Sequence, residues 1–175
     1  MSKELQRRKV IRIQGQDYSQ NGAYFITICV KNGYEMLGSI DVGANCVHPL
    51  LSEYGEIAEK EILFLSEAYN NSVKITKYVI MPNHIHMILV INAEESGQTQ
   101  FAPTIPRILK QFKGSVTKQI GFSLWQKSYH DRIIRDESEY QKICRYIDKN
   151  PERWKDDCYY ISQGSKPPHE FPNNQ

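Results

Sequence analysis

The sequence predicts an α+β fold, a ferredoxin-like antiparallel sheet with helices packed on its faces. Strand-like and helix-like segments interleave, yet several strands follow one another directly, an order that suits antiparallel pairing. The 175 residues are enough for one well-buried core and few for two. No internal repeat and no interior linker divides them, and 40% hydrophobic with 24% charged residues marks an ordinary soluble domain. The expected organisation is one domain over 1–162, with a basic arm at 1–12. A loose tail at 163–175, rich in Pro, Asn and Ser, follows it.

The first strand is expected at Ala23–Val30 (AYFITICV), where apolar and β-branched residues alternate. Met36–Leu50 reads as two short extended pieces around Gly43-Ala44-Asn45, a hairpin. Ser52 is a plausible N-cap for a helix whose face is Ile57, Ile62, Leu65 and Ala68, ending near Tyr69. Val73–Met81 is a second long strand, and Pro82-Asn83 turns it into the next. After a polar loop at Ala93–Pro103, a helix over Pro103–Ile120 shows an apolar stripe of Ile105, Ile108, Leu109, Phe112, Val116 and Ile120. Gly121–Lys127 connects it to a short strand in Ser128–Arg135. Asp136 then caps a third helix, with Glu139 completing a capping box. Pro151 stops that helix or turns it into the next short segment.

The segment Tyr78–Ile91 (YVIMPNHIHMILVI) holds the first chemical signal. His84 and His86 are two apart on a strand, so both imidazoles project from one face. The rest of the strand, Ile85, Met87, Ile88, Leu89, Val90 and Ile91, is apolar on both faces, as in a strand covered on both sides. Two core histidines satisfied by backbone or carboxylates would fit, but a pair on one face fits a divalent metal better.

The second signal lies in Asp136–Asn150 (DESEYQKICRYIDKN). Tyr140, Ile143, Cys144 and Ile147 share one stripe facing the sheet. Tyr146 and Asn150, one turn apart on its flank, present a phenol and a carboxamide together. If that flank lies over the histidine face, Asn150 can offer an oxygen to a metal and Tyr146 stands beside it. A tyrosine there suits phosphoryl transfer through a phosphotyrosine. Taken alone, an aromatic on a helix flank is more often a packing group, and an Asn before Pro a plain helix end.

Pro82-Asn83-His84-Ile85-His86, Trp125-Gln126, His130-Asp131-Arg132-Ile133-Ile134-Arg135 and Tyr146-Ile147-Asp148-Lys149-Asn150-Pro151 together resemble the single-tyrosine transposases of HUH type (histidine, hydrophobic residue, histidine). The likeness is greatest to the REP-associated tyrosine transposases and runs from about Arg7 to Trp154. It implies a ferredoxin-like domain with His84 and His86 as metal ligands on a central strand. It implies Tyr146 as the nucleophile and Asn150, where relatives carry Gln, as the third ligand. Magnesium or manganese is the implied cofactor. The implied activity is cleavage and rejoining of single-stranded, hairpin or repeat DNA through a 5′-phosphotyrosine. The alternative is a host-retained repeat-DNA-binding protein that moves nothing. Relatives act as dimers or monomers, and both states stay open.

Charge is segregated although the net is only +2. Ser96–His130 carries Arg107, Lys110, Lys113, Lys118 and Lys127 and no acid. Its basic helix is a phosphate-tracking surface or a solvated face, with the missing acids tipping the balance toward DNA. Arg132 and Arg135 contact phosphate or form salt bridges. Arg7, Arg8 and Lys9 lie along a phosphate backbone or form a disordered start. Cys29, Cys46, Cys144 and Cys158 form no CxxC pair and are expected to be reduced packing residues. The basic start has no apolar signal core and no run is long enough to span a membrane, so a cytoplasmic protein is expected.

Overall fold

The computed structural model describes residues 21–42, 47–92 and 103–161. The basic arm with Arg7, Arg8 and Lys9, the 43–45 turn, nearly all of the polar loop and the tail lie outside them. The expected ferredoxin-like sheet is present. Strands β1 (Gly22–Cys29), β4 (Val73–Ile80), β5 (His84–Ile91) and β6 (His130–Ile134) form one sheet in the order β4-β5-β1-β6. All its pairs are antiparallel. Helix α1 (Glu53–Ala68) precedes β4, and α2 (Ile105–Ile120) joins β5 to β6, completing the β-α-β-β-α-β pattern. A separate hairpin of β2 (Gly38–Val42) and β3 (Val47–Leu51) is inserted after β1. Helix α3 (Glu137–Lys149) and a 3-10 segment (Pro151–Asp156) follow β6.

Period two in β5 assigns its residues to two different cores. Ile85, Met87, Leu89 and Ile91 join the larger core with α1 and α2 residues such as Ile62 and Phe112. Ile88 and Val90 face Ile143 and Ile147 of α3. His84 and His86 share that second face, so the imidazoles look toward α3 and away from α2.

The ends of the helices follow from side-chain caps. Ser52 Oγ accepts from Gly55 N at 3.2 Å, and Thr104 Oγ1 caps α2 at Arg107 N. Gly121, in the left-handed region, ends α2. Asp136 Oδ1 accepts from Glu139 N at 2.8 Å. Glu139 reaches back to Arg135 N rather than to Asp136 itself, so the expected capping box is displaced by one residue. The buried face of α1 also differs from expectation. Gly55, Ala58, Ile62 and Leu65 are buried, while Ala68 is exposed. The helix leans on the β2–β3 hairpin at its N-terminal end, which draws the small residues inward.

Candidate metal and tyrosine site

Asn83 sets the state of the first imidazole. Its Nδ2 donates to the carbonyls of Gly33 and Tyr159 at 3.1 and 2.8 Å, so its Oδ1 is left as an acceptor. That oxygen is 2.8 Å from His84 Nδ1, which must therefore carry the proton, leaving a lone pair on Nε2. His86 Nδ1 is 2.8 Å from Thr27 Oγ1 on β1. A hydroxyl both donates and accepts, so Thr27 supports either tautomer. With the proton on Nδ1, both Nε2 lone pairs converge, and those two atoms are 3.1 Å apart. Two ligands each ~2.1 Å from one ion at right angles are ~3.0 Å apart. A partner fixing the remote nitrogen of each ring is the usual support for a histidine ligand.

The C-terminal segment closes over the pair. Pro151 does not end the structure but opens a 3-10 turn, which brings Asp157 back so that Asn150 Nδ2 donates to its Oδ2 at 2.8 Å. Tyr159 and Trp154 lie against the His84 ring at 4.6 and 5.9 Å between centroids. Candidate ligand atoms of His84, His86 and Asp157 all lie within 4.8 Å of one another, forming a group that can hold a metal ion. Asp157 was not among the expected ligands. It lies beyond the helix, and no periodicity in the sequence points to it. Asn150 is buried, and with Nδ2 engaged its Oδ1 has no hydrogen-bond partner. A buried amide oxygen without a donor suits a cation in need of oxygen ligands.

Tyr146 is 44% exposed, so it touches both solvent and site. Its Oη is 3.2 Å from His86 Nε2, and its ring stands edge-on to Phe25 at 6.0 Å. Burial, with the nearby Asp157 and Cys158, pushes its pKa up to about 12, and the neighbouring Asn150 amide pulls the other way. The expected flank of α3 thus does lie over the histidine face. Two neighbouring tyrosines in the sequence lie elsewhere: Tyr140 packs beside Ile143 and Ile147, and Tyr129 packs against the larger core on the opposite face.

The other expected DNA contacts scatter. Arg107, Lys110 and Lys118 are exposed on α2, across the sheet from the histidines. Lys113 Nζ donates to the carbonyls of Gln126 and Ser128 at 2.9 and 2.8 Å, and burial pulls its pKa down to about 8. Its donors therefore hold the connector. Arg132 pairs with Glu139. Cys29, Cys144 and Cys158 are free thiols. No helix among the described residues is long and apolar enough to cross a membrane.

No family model matches the chain. A Haemophilus influenzae protein without an assigned function is 32% identical over 176 residues, covering 90% of this chain and 95% of the relative. A second Haemophilus influenzae protein, provisionally named a REP-associated tyrosine transposase, is 22% identical over 144 residues, covering 78% and 73%. The chain is similar to the REP-associated tyrosine transposases. A solved structure of a REP-associated tyrosine transposase bound to a REP hairpin shares the fold, with a TM-score of 0.58. It is 18% identical and covers 79% of this chain and 72% of its own. In this chain the paired imidazoles lie beneath Tyr146 of α3.

Burial pulls the pKa of both histidines down to about 3; for His86, neighbouring His84 adds to the fall and Asp157 opposes it. Unfolded imidazoles titrate near 6.5. Between those values the unfolded chain binds protons that the folded chain refuses. Stability is therefore full above ~6.5 and falls as pH drops toward ~3, by up to ~1.4 kcal/mol per pH unit for each histidine. Thermal unfolding in chelator should show a lower Tm at pH 5 than at pH 7.5. A flat profile would mean that the folded imidazoles accept protons freely.

Proposed function

We propose that this chain is a metal-dependent DNA-nicking and strand-transferring enzyme in which Tyr146 attacks a phosphate of single-stranded or hairpin DNA. The observation that carries the reading is the 3.2 Å approach of Tyr146 Oη to His86 Nε2, beside two converging imidazole lone pairs. His84, His86 and Asp157, with Asn150 Oδ1, would hold magnesium or manganese. Such an ion supplies Lewis-acid polarisation of the scissile phosphate.

Tyr146 Oη forms a bond to phosphorus as the bond from phosphorus to O3′ breaks. The phenolic proton leaves Oη, and the departing O3′ takes up a proton to become a free hydroxyl. The product is a 5′-phosphotyrosine. Attack by another 3′-hydroxyl reverses the step and joins new ends, so no nucleotide cofactor is consumed. Thr27 and Asn83 orient the imidazoles, and Phe25 steadies both His86 and Tyr146.

A hairpin substrate is consistent with the structural neighbour, which is bound to a REP hairpin. Incubation with end-labelled single-stranded hairpin DNA and magnesium or manganese should give a covalent protein–DNA adduct, lost in chelator. Tight binding without an adduct under any divalent ion would favour the binding-only alternative.

A further inference from the structure

Four cations line the groove beside the tyrosine, three on α3 and one in the 3-10 segment that follows it. Lys142, Arg145 and Lys149 follow one another at spacings of three and four, which stacks them along one side of the helix, and Arg153 follows in the 3-10 segment. With Tyr146, Asn150 and Asp157 they line an open groove of about 720 Å³. All four side chains are exposed. The helix's own acids are engaged elsewhere. Asp148 pairs with Lys77 at 2.6 Å, Glu139 with Arg132, and Glu137 accepts from Gln141 Nε2 at 2.6 Å. Among the described residues, none of the four cations has an ion pair.

Asp156 and Asp157 are the acids at the groove's edge. Asp157 is turned inward, accepting from Asn150 Nδ2 and Tyr159 N. A row of like charges this close is costly unless an anion neutralises it. The row from Lys142 to Lys149 runs ~10 Å along the helix, with Tyr146 in its middle. The unpartnered Asn150 Oδ1 lies beside it.

We infer that this groove is the track for the single strand on both sides of the cleaved phosphate. Lys142 and Arg145 hold phosphates on one side of Tyr146, and Lys149 and Arg153 hold them on the other. The inference rests on Tyr146 being the nucleophile. It places strand-holding charge on α3, not on the basic surface of α2 across the sheet. The contacts are to phosphate, so they position the strand without selecting its sequence.

The test measures equilibrium binding of a single-stranded oligonucleotide in a Tyr146→Phe background, where no covalent link complicates affinity. Adding Arg145→Gln with Lys149→Gln should weaken binding and flatten the plot of log affinity against log salt by ~1.4, for two lost contacts at ~0.7 each. Between 50 and 200 mM salt, that double variant should lose ~7-fold less affinity than its parent. Lys60→Gln on α1 serves as the comparison and should leave the slope unchanged. A slope for the α3 double variant no different from that of Lys60→Gln overturns the proposal. A flattened slope in a protein whose wild type forms no adduct keeps the groove and removes only the tyrosine chemistry. Adduct formation with an unchanged slope does the reverse.

Discussion

Tyr146→Phe should abolish the covalent adduct and lower strand cleavage by on the order of 10⁶-fold, the scale on which deleting a catalytic nucleophile acts. The substitution removes only the oxygen that forms the bond to phosphorus. The ring keeps its edge contact with Phe25 and its place 5.2 Å from the His86 ring. The lost hydrogen bond to His86 contributes about 1 kcal/mol at most, so the variant should fold with a Tm close to the parent's. It should also keep its response to metal, because the ligand set is untouched. The discriminating experiment pairs two readouts: adduct by denaturing gel and the rise in Tm on adding manganese. Loss of adduct with the Tm rise intact is the expected result. Cleavage that survives would make Tyr146 a packing residue and sink the phosphotyrosine route. Loss of both readouts would place the phenol among the groups that hold the metal.

Local order made much of this site legible in the sequence. Period two on β5 put His84 and His86 on one face, and the stripe on α3 placed Tyr146 and Asn150 on its flank. Both inferences need only the geometry of a single element. Sequence could not settle which elements share a face of the sheet. The stripe on α2 is as clear as that on α3, yet it packs on the opposite side, so its cations stand away from the tyrosine. Arg132 had two readings, and the packing of β6 beside α3 brings it into an ion pair with Glu139. Asp157 was invisible for a related reason. Its approach to the histidines depends on the 3-10 turn after Pro151 and on one hydrogen bond from Asn150, neither of which leaves a periodic trace. The cations of the α3 groove are plain in the sequence, but only the fold engages the acids around them elsewhere.

Gly55→Ala should be strongly destabilising, although it adds only one methyl group. A Cβ there would stand 2.0 Å from the Leu37 carbonyl oxygen and 3.2 Å from Leu51 Cβ. The carbonyl has little room to yield. It accepts from Ser52 N at 2.9 Å, while Ser52 Oγ donates to Met36 O at 2.6 Å and caps α1 at Gly55 N. On its other side the Leu37 amide donates to Pro82 O at 2.9 Å, one residue before Asn83. Overpacking of this kind costs about 3 kcal/mol or more, offset in part by about 1 kcal/mol from replacing a helical glycine with alanine. A net loss of about 2–4 kcal/mol lowers Tm by roughly 5–15 °C for a chain of this size. Gly114 in α2 is the control, since a Cβ there meets nothing within 4 Å. Gly114→Ala should raise stability by up to about 1 kcal/mol. Because the displaced backbone leads to Pro82 and then to Asn83, which orients His84, manganese affinity of the folded Gly55→Ala protein should fall by about tenfold, as when the group supporting a ligand is disturbed. Unchanged Tm would refute the close approach. Lowered Tm with unchanged metal affinity would show that the strain stops at the cap of α1 and does not reach the histidine strand.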